Sequence, residues 1–173
     1  MNLQALAPLA TLLLSSCAST AARAVGACPD PADKSNANLM APAVSFAHDV
    51  MPIFQTSCDV AGSTCHGDPS VTAQGRPFLG SFDGGTSAAQ VRAAIVDIPS
   101  QEDPKMALVT AGQPAKSFLW QKVDNLQCTL ASECAAGGSR YPSCGASMPS
   151  QNPLLDEATL DTIERWIAQG AKN

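Results

Sequence analysis

Seven cysteines in a chain of 173 residues, at positions 17, 28, 58, 65, 128, 134 and 144, limit what this sequence can fold into. So many thiols fit an oxidising compartment or a cofactor site better than the cytosol. The hydrophobic share, 45%, is ordinary for a globular protein and argues against a disordered chain. Aromatic residues make up only 5%, however, so the core is thin. Disulfides or a large apolar cofactor must then supply part of the stability. The length matches one domain. A net charge of -5 with only ten Lys+Arg provides no basic patch, so no nucleic-acid partner is expected. The sequence has no apolar run of about 18 residues, so any membrane contact is expected without a spanning helix.

The first segment reads as an address. Residues Leu3 to Leu14 are apolar apart from Gln4 and Thr11, as in the h-region of a signal peptide, although no Lys or Arg precedes them. The run ends in Leu14-Ser15-Ser16-Cys17, which resembles the bacterial lipobox. On that resemblance residues 1–16 are a lipoprotein signal peptide, and Cys17 carries the lipid. The chain is then held at a membrane surface of the cell envelope, periplasmic or outer-membrane, by acyl chains alone. By resemblance to other lipoproteins, Ala18 rather than Asp after Cys17 permits outer-membrane delivery. The competing reading is ordinary cleavage near Ala21-Ala22-Arg23-Ala24. Residues 17–43 hold small side chains with Pro29, Pro31 and Pro42 and show no periodicity, so they read as a flexible tether. Cys28 interrupts it and would pin it to the body.

The body, residues 44–173, reads as short helices joined by long loops. Phe46, Val50, Ile53 and Phe54 recur at helical spacing. Pro52 is tolerable only in a first turn, which predicts Asp49 as the cap and a helix to about Cys58. Ser87-Ala88-Ala89-Gln90 has the pattern of a capping box ahead of Val91, Ala94 and Ile95. A third helix is expected after Pro114, with Phe118, Leu119 and Val123 inward. The fourth starts at an Asp156 cap and carries Leu160, Ile163, Trp166 and Ile167 as one apolar stripe, with Gly170 as its stop. Strand-like alternation is absent, so the fold class is mainly α, a small helical domain with long loops stapled by disulfides. The sequence contains no internal repeat, no phosphate-cradling Gly loop and no Gly-x-Ser-x-Gly elbow.

The chemistry concentrates at Cys, His and Met. One of only two histidines, His66, follows Cys65 directly. A Cys-His dipeptide has a specific use in c-type haem attachment: Cys thiols add to porphyrin vinyl groups as thioethers, and the adjacent imidazole coordinates the iron. The opposite face then needs a second ligand, often a Met thioether. His48 lies on the polar side of the first helix and is expected to face solvent or to hydrogen-bond there. Met40, Met51 and Met106 are rivals for the sulfur ligand, of which Met51 and Met106 look like packing residues.

The segments Val50-Met51-Pro52-Ile53-Phe54, Cys65-His66-Gly67, Leu108 to Leu119, Cys144-Gly145-Ala146-Ser147-Met148-Pro149 and Thr162 to Ala171 together resemble class I c-type cytochrome domains of bacterial lipoproteins. The resemblance spans roughly residues 44 to 173. It implies a cytochrome c-like fold in which the terminal helix packs across the first. It also implies haem c iron held by His66 and Met148, with Cys58 and Cys65 as attachment residues. One departure is plain: the family motif is Cys-x-x-Cys-His, and here six residues separate Cys58 from Cys65. Three readings follow. A longer loop still delivers both thiols, or Cys65 alone is attached, or Cys58 and Cys65 form a disulfide in a fold without haem.

Cys28, Cys128, Cys134 and Cys144 are left as disulfide candidates with three possible connectivities. A Cys128–Cys144 bridge would close the loop before Met148 and leave Cys28–Cys134 to staple the tether. A zinc site is the rival use of these thiols, with His66 the only suitable His partner. Two functions emerge. The first is a monomeric monohaem electron carrier, not an enzyme, that meets redox partner proteins through an acidic surface. The alternative is a haem-free, disulfide-stapled lipoprotein acting as a binding or scaffold module.

Overall fold

The structure, a computed structural model, describes residues 38–58, 65–74, 76–81, 85–137, 144–150 and 153–173. The expected signal segment, Cys17, Cys28 and most of the tether lie outside the described residues. Helices dominate, and among the described residues the only β pairing is three isolated bridges.

The first helical run corrects the expected cap. Helix begins at Phe46, not after Asp49: Ser45 is the cap, and its hydroxyl accepts the His48 N–H. The Asp49 carboxylate turns back to accept the Ser45 N–H at 2.7 Å. Pro52 therefore lies mid-helix, where it has no N–H to donate. The backbone accommodates it by widening: α1 (Met51–Ile53) is flanked by π-type turns at Phe46–Val50 and Phe54–Cys58. The Met51 N–H accordingly reaches Phe46 O, five residues back. Such π-turns are the usual way for a helix to absorb a local misfit.

α2 (Ala88–Ile95) starts at the expected capping box, with both reciprocal bonds between Ser87 and Gln90 present. α3 (Phe118–Val123) follows a 3-10 turn at Pro114–Lys116. It is more deeply enclosed than an amphipathic helix: Trp120, Gln121 and Lys122 are buried along with Phe118 and Val123. α4 (Ala131–Ala136) is short and carries Cys134 inward. α5 (Glu157–Ala168) is capped by Asp156, whose carboxylate accepts the Thr159 N–H at 2.8 Å. It ends where Gly170 takes φ +95°. There the Gly170 N–H bonds Ile167 O and the Ala171 N–H bonds Trp166 O, the paired bonds of a Schellman stop.

α5 packs against the Phe46–Val50 turn, which is also touched by α2, and α3 contacts α5. Trp166 stacks on Phe46 with ring centroids 4.8 Å apart, and Phe54 meets Phe46 edge-on at 5.8 Å. These rings and the α5 stripe of Leu160, Ile163 and Ile167 form the main core. Gln169 accepts the Val44 N–H through its side-chain carbonyl and donates its amide to Leu39 O and Pro42 O. The side chain at the C-cap of α5 therefore clamps residues 39–44 to the domain.

Candidate functional site

The site is assembled by loops hung on the first run and on α3. Cys58 closes the first run, and the His66 N–H donates to the Cys58 carbonyl at 3.2 Å. Cys58, Cys65 and His66 therefore share one corner. Cys58 is buried and Cys65 half-buried, and both are thiols rather than members of a disulfide. On the other side of His66 its carbonyl accepts the Leu79 N–H at 2.9 Å. Gly80 follows at φ +103°, with Met51 against it: a Cβ there would lie 2.5 Å from the Met51 methyl carbon.

His66 is 8% exposed. Its Nδ1 lies 2.7 Å from Pro77 O, an acceptor, so Nδ1 carries the proton and Nε2 the lone pair. Burial pushes its pKa below the usual value of 6.5, and the charges of Arg76 and Lys122 push the same way, against the raising effect of the Pro77 bond. A neutral, oriented imidazole is the ligating form, and a carbonyl on the distal nitrogen is the usual way to fix it.

Met148 lies on a separate segment tied to α3. Its N–H donates to Lys122 O at 2.9 Å, and its half-buried side chain packs against the main core. The Lys122 ammonium that bears on His66 is buried and donates to Cys144 O at 2.6 Å and Glu102 at 3.2 Å. Burial lowers the Lys122 pKa, partly offset by Glu102. With its amide oriented to satisfy both ends, Gln127 accepts the Ser147 N–H at 3.0 Å and donates to Gln121 O at 3.2 Å.

The disulfide pairing corrects the expected one. Cys144 bonds Cys134, with Cα atoms 5.4 Å apart, so neither Cys128–Cys144 nor Cys28–Cys134 forms. The reason is facing: Cys128 and Cys134 lie six residues apart on a helical stretch, so they point to different sides. Cys134 is fully buried with Cys144 against Phe118, whereas Cys128 is half-exposed. Cys128 is disulfide-bonded as well, with its partner outside the described residues.

The rival residues take other places. Met40 is 68% exposed, Met51 is core, and Met106 packs on the Phe118–Cys134–Cys144 cluster. His48 is exposed on the first run, with its N–H on the Ser45 hydroxyl. Among the described residues no three His, Cys, Asp or Glu side chains gather to hold a bare metal ion. Nor is any described helix long and apolar enough to cross a membrane. The donor set present, an imidazole nitrogen, a thioether and two thiols, is of the kind an iron porphyrin takes. The Ser147 hydroxyl, 3% exposed and next to Met148, has no hydrogen-bond partner among the described residues, an arrangement that fits a polar group of a bound molecule beside it. Sequence reasoning missed Lys122, Gln127 and Pro77. The first two read as ordinary polar helix residues, and no local pattern marks a carbonyl.

No family model, curated protein or solved structure matches this chain.

Proposed function

We propose that this protein is a monohaem c-type cytochrome, a one-electron carrier held at the periplasmic or outer-membrane surface by a lipid on Cys17. The observation that carries the reading is His66: a buried, neutral imidazole directly after Cys65, with Nδ1 donated to Pro77 O and Nε2 left as the coordinating atom. Cys58 and Cys65 would hold the haem covalently, and His66 and Met148 would supply the protein ligands to its iron. When bound, haem supplies a one-electron couple at iron.

The chain's own residues do the rest. Pro77 O keeps the imidazole proton on Nδ1. Burial and the nearby cations keep His66 from taking up a second proton, which would remove the ligating lone pair. The core around Phe46, Phe54 and Met51 excludes water from the Cys58 end of the site. With both ligand roles assigned to residues of the chain, the haem would serve electron transfer rather than substrate binding, which is why the reading is a carrier and not an enzyme. An acidic chain fits basic or neutral redox partners through weak, salt-sensitive encounters.

The test is a pyridine haemochrome spectrum of the full chain secreted by a host with intact maturation machinery, followed by intact-mass analysis after reduction. The expected result is one haem per chain that survives denaturation, with its mass retained. His66→Ala abolishes the native spectrum, whereas Met148→Ala keeps the haem, lowers the potential and opens the iron to added ligands. A colourless native protein overturns the proposal and leaves the haem-free lipoprotein with a binding role.

A further inference from the structure

Lys122 is a charged group where charge is expensive. It sits on α3 at 5% exposure, and an ammonium there is tolerable only when its donors are used and its charge is balanced. Both conditions hold, and both partners matter to one segment. Nζ donates to Cys144 O at 2.6 Å and to the Glu102 carboxylate at 3.2 Å. The main-chain carbonyl of the same residue accepts the Met148 N–H at 2.9 Å. Lys122 thus grips residues 144–148 at both ends, with its side chain at one and its backbone at the other.

The backbone between these grips is shaped around the ammonium. Cys144 and Gly145 take φ +60° and +69°, consecutive left-handed conformations that turn the chain past Nζ. Glycine suits the second: its φ lies in the left-handed region, and a Cβ would come 3.0 Å from Nζ and 3.4 Å from the Glu102 carboxylate. Glu102 is delivered by its own turn, where the Ser100 hydroxyl accepts the Glu102 N–H at 3.1 Å and the Asp103 N–H at 3.3 Å.

We infer that Lys122 is a positioning residue for Met148: its ammonium, balanced by Glu102, anchors the Cys144 carbonyl and so sets where the Met148 sulfur is presented. This rests on the reading of Met148 as an iron ligand. An apolar side chain of equal length fills the same space but removes the Lys122 donor from the Cys144 carbonyl and the partner charge from Glu102, losses that bear most directly on this loop conformation.

The test compares the full secreted chain with Lys122→Met, Lys122→Arg and Glu102→Gln. Two quantities are read: the sulfur-to-iron charge-transfer absorption of the oxidised protein, and amide hydrogen exchange across residues 144–148. Lys122→Met is expected to keep its haem, to lose most of that absorption, and to exchange the Met148 amide about tenfold faster or more, as loss of a buried charged hydrogen bond implies. Lys122→Arg restores part of both signals, and Glu102→Gln moves both in the same direction by less. Absorption and exchange unchanged from wild type overturn the inference while leaving the haem reading intact. If Lys122→Met does not fold, Glu102→Gln decides alone, and wild-type values there overturn it. If the wild-type protein is colourless, the haem reading falls, and the exchange measurement still decides whether Lys122 holds the loop.

Discussion

The His66 corner and the Met148 segment are secured by opposite physics. The residues His66 bonds to are set in hydrocarbon: Cys58 and Leu79, on either side of it, belong to the core of Phe46, Phe54, Met51 and the α5 stripe, and the Pro77 carbonyl orients the ring. Met148 is secured by polar ties: a buried ammonium, a carboxylate, an amide and a disulfide all converge within residues 144–148. Apolar burial is additive and graded, whereas a buried polar network is worth much when every member is satisfied and costs when one is missing. The His66 side should therefore fail with global stability, and the Met148 side by local events that leave the fold standing.

The largest expected effect breaks the apolar side. Trp166 is fully buried, stacks on Phe46 and donates its indole N–H to Lys172 O at 2.8 Å. Trp166→Ala should cost about 3–5 kcal/mol in urea unfolding, the usual loss for a large core ring. Because Trp166 lies at the centre of the contact between α5 and the first run, the transition should stay a single step. A cost below about 1 kcal/mol would mean that this contact does not support His66.

The next effect separates the two sides. The Cys134–Cys144 bridge spans a sequence separation of 10 and ends four residues before Met148. Replacing both with Ser should cost about 2–4 kcal/mol. Its signature should be uneven: faster amide exchange across residues 144–148, with protection in α5 falling only by the global loss. Equal loosening of α5 and of the Met148 segment would show one cooperative core and would remove the distinction drawn above.

What could be read beforehand follows the same division. The helical class, the Ser87 box, the Asp156 cap and the α5 stripe are local patterns, so spacing and composition disclosed them. The first run starts four residues before the expected Asp49 cap, at Ser45, because π-type turns on either side of Pro52 let the proline sit inside the helix rather than in its first turn. The disulfide went wrong for a related reason. Sequence separation ranks loop entropies, but burial and the side of a helix choose the partner, and Cys134 rather than Cys128 points inward. The polar ties on Met148 were not legible at all. Lys122, Glu102 and Gln127 become partners only when three loops meet, and nothing in a local window marks a lysine as buried. The clamp from Gln169 onto residues 39–44 is another such meeting of distant segments.

The smallest expected effect sharpens the comparison through pH. Asp156 caps α5 by accepting the Thr159 N–H, and this bond holds its carboxyl below the ordinary value of 3.8. A carboxylate whose folded-state pKa is depressed contributes stability that is complete above its unfolded value and is lost as pH falls through the folded one. Asp156→Asn keeps an acceptor for the Thr159 N–H but removes the charge at the positive end of the helix. The wild type should therefore melt slightly higher than Asp156→Asn at pH 7, and the gap should close as pH is taken below 3.8. Because α5 backs the His66 corner, amide protection in α5 should track that gap while exchange across residues 144–148 does not. A melting difference that persists unchanged at low pH would show that the charge of Asp156 contributes nothing. The cap would then act through hydrogen-bond geometry alone, and the α5 support for His66 would be independent of pH in this range.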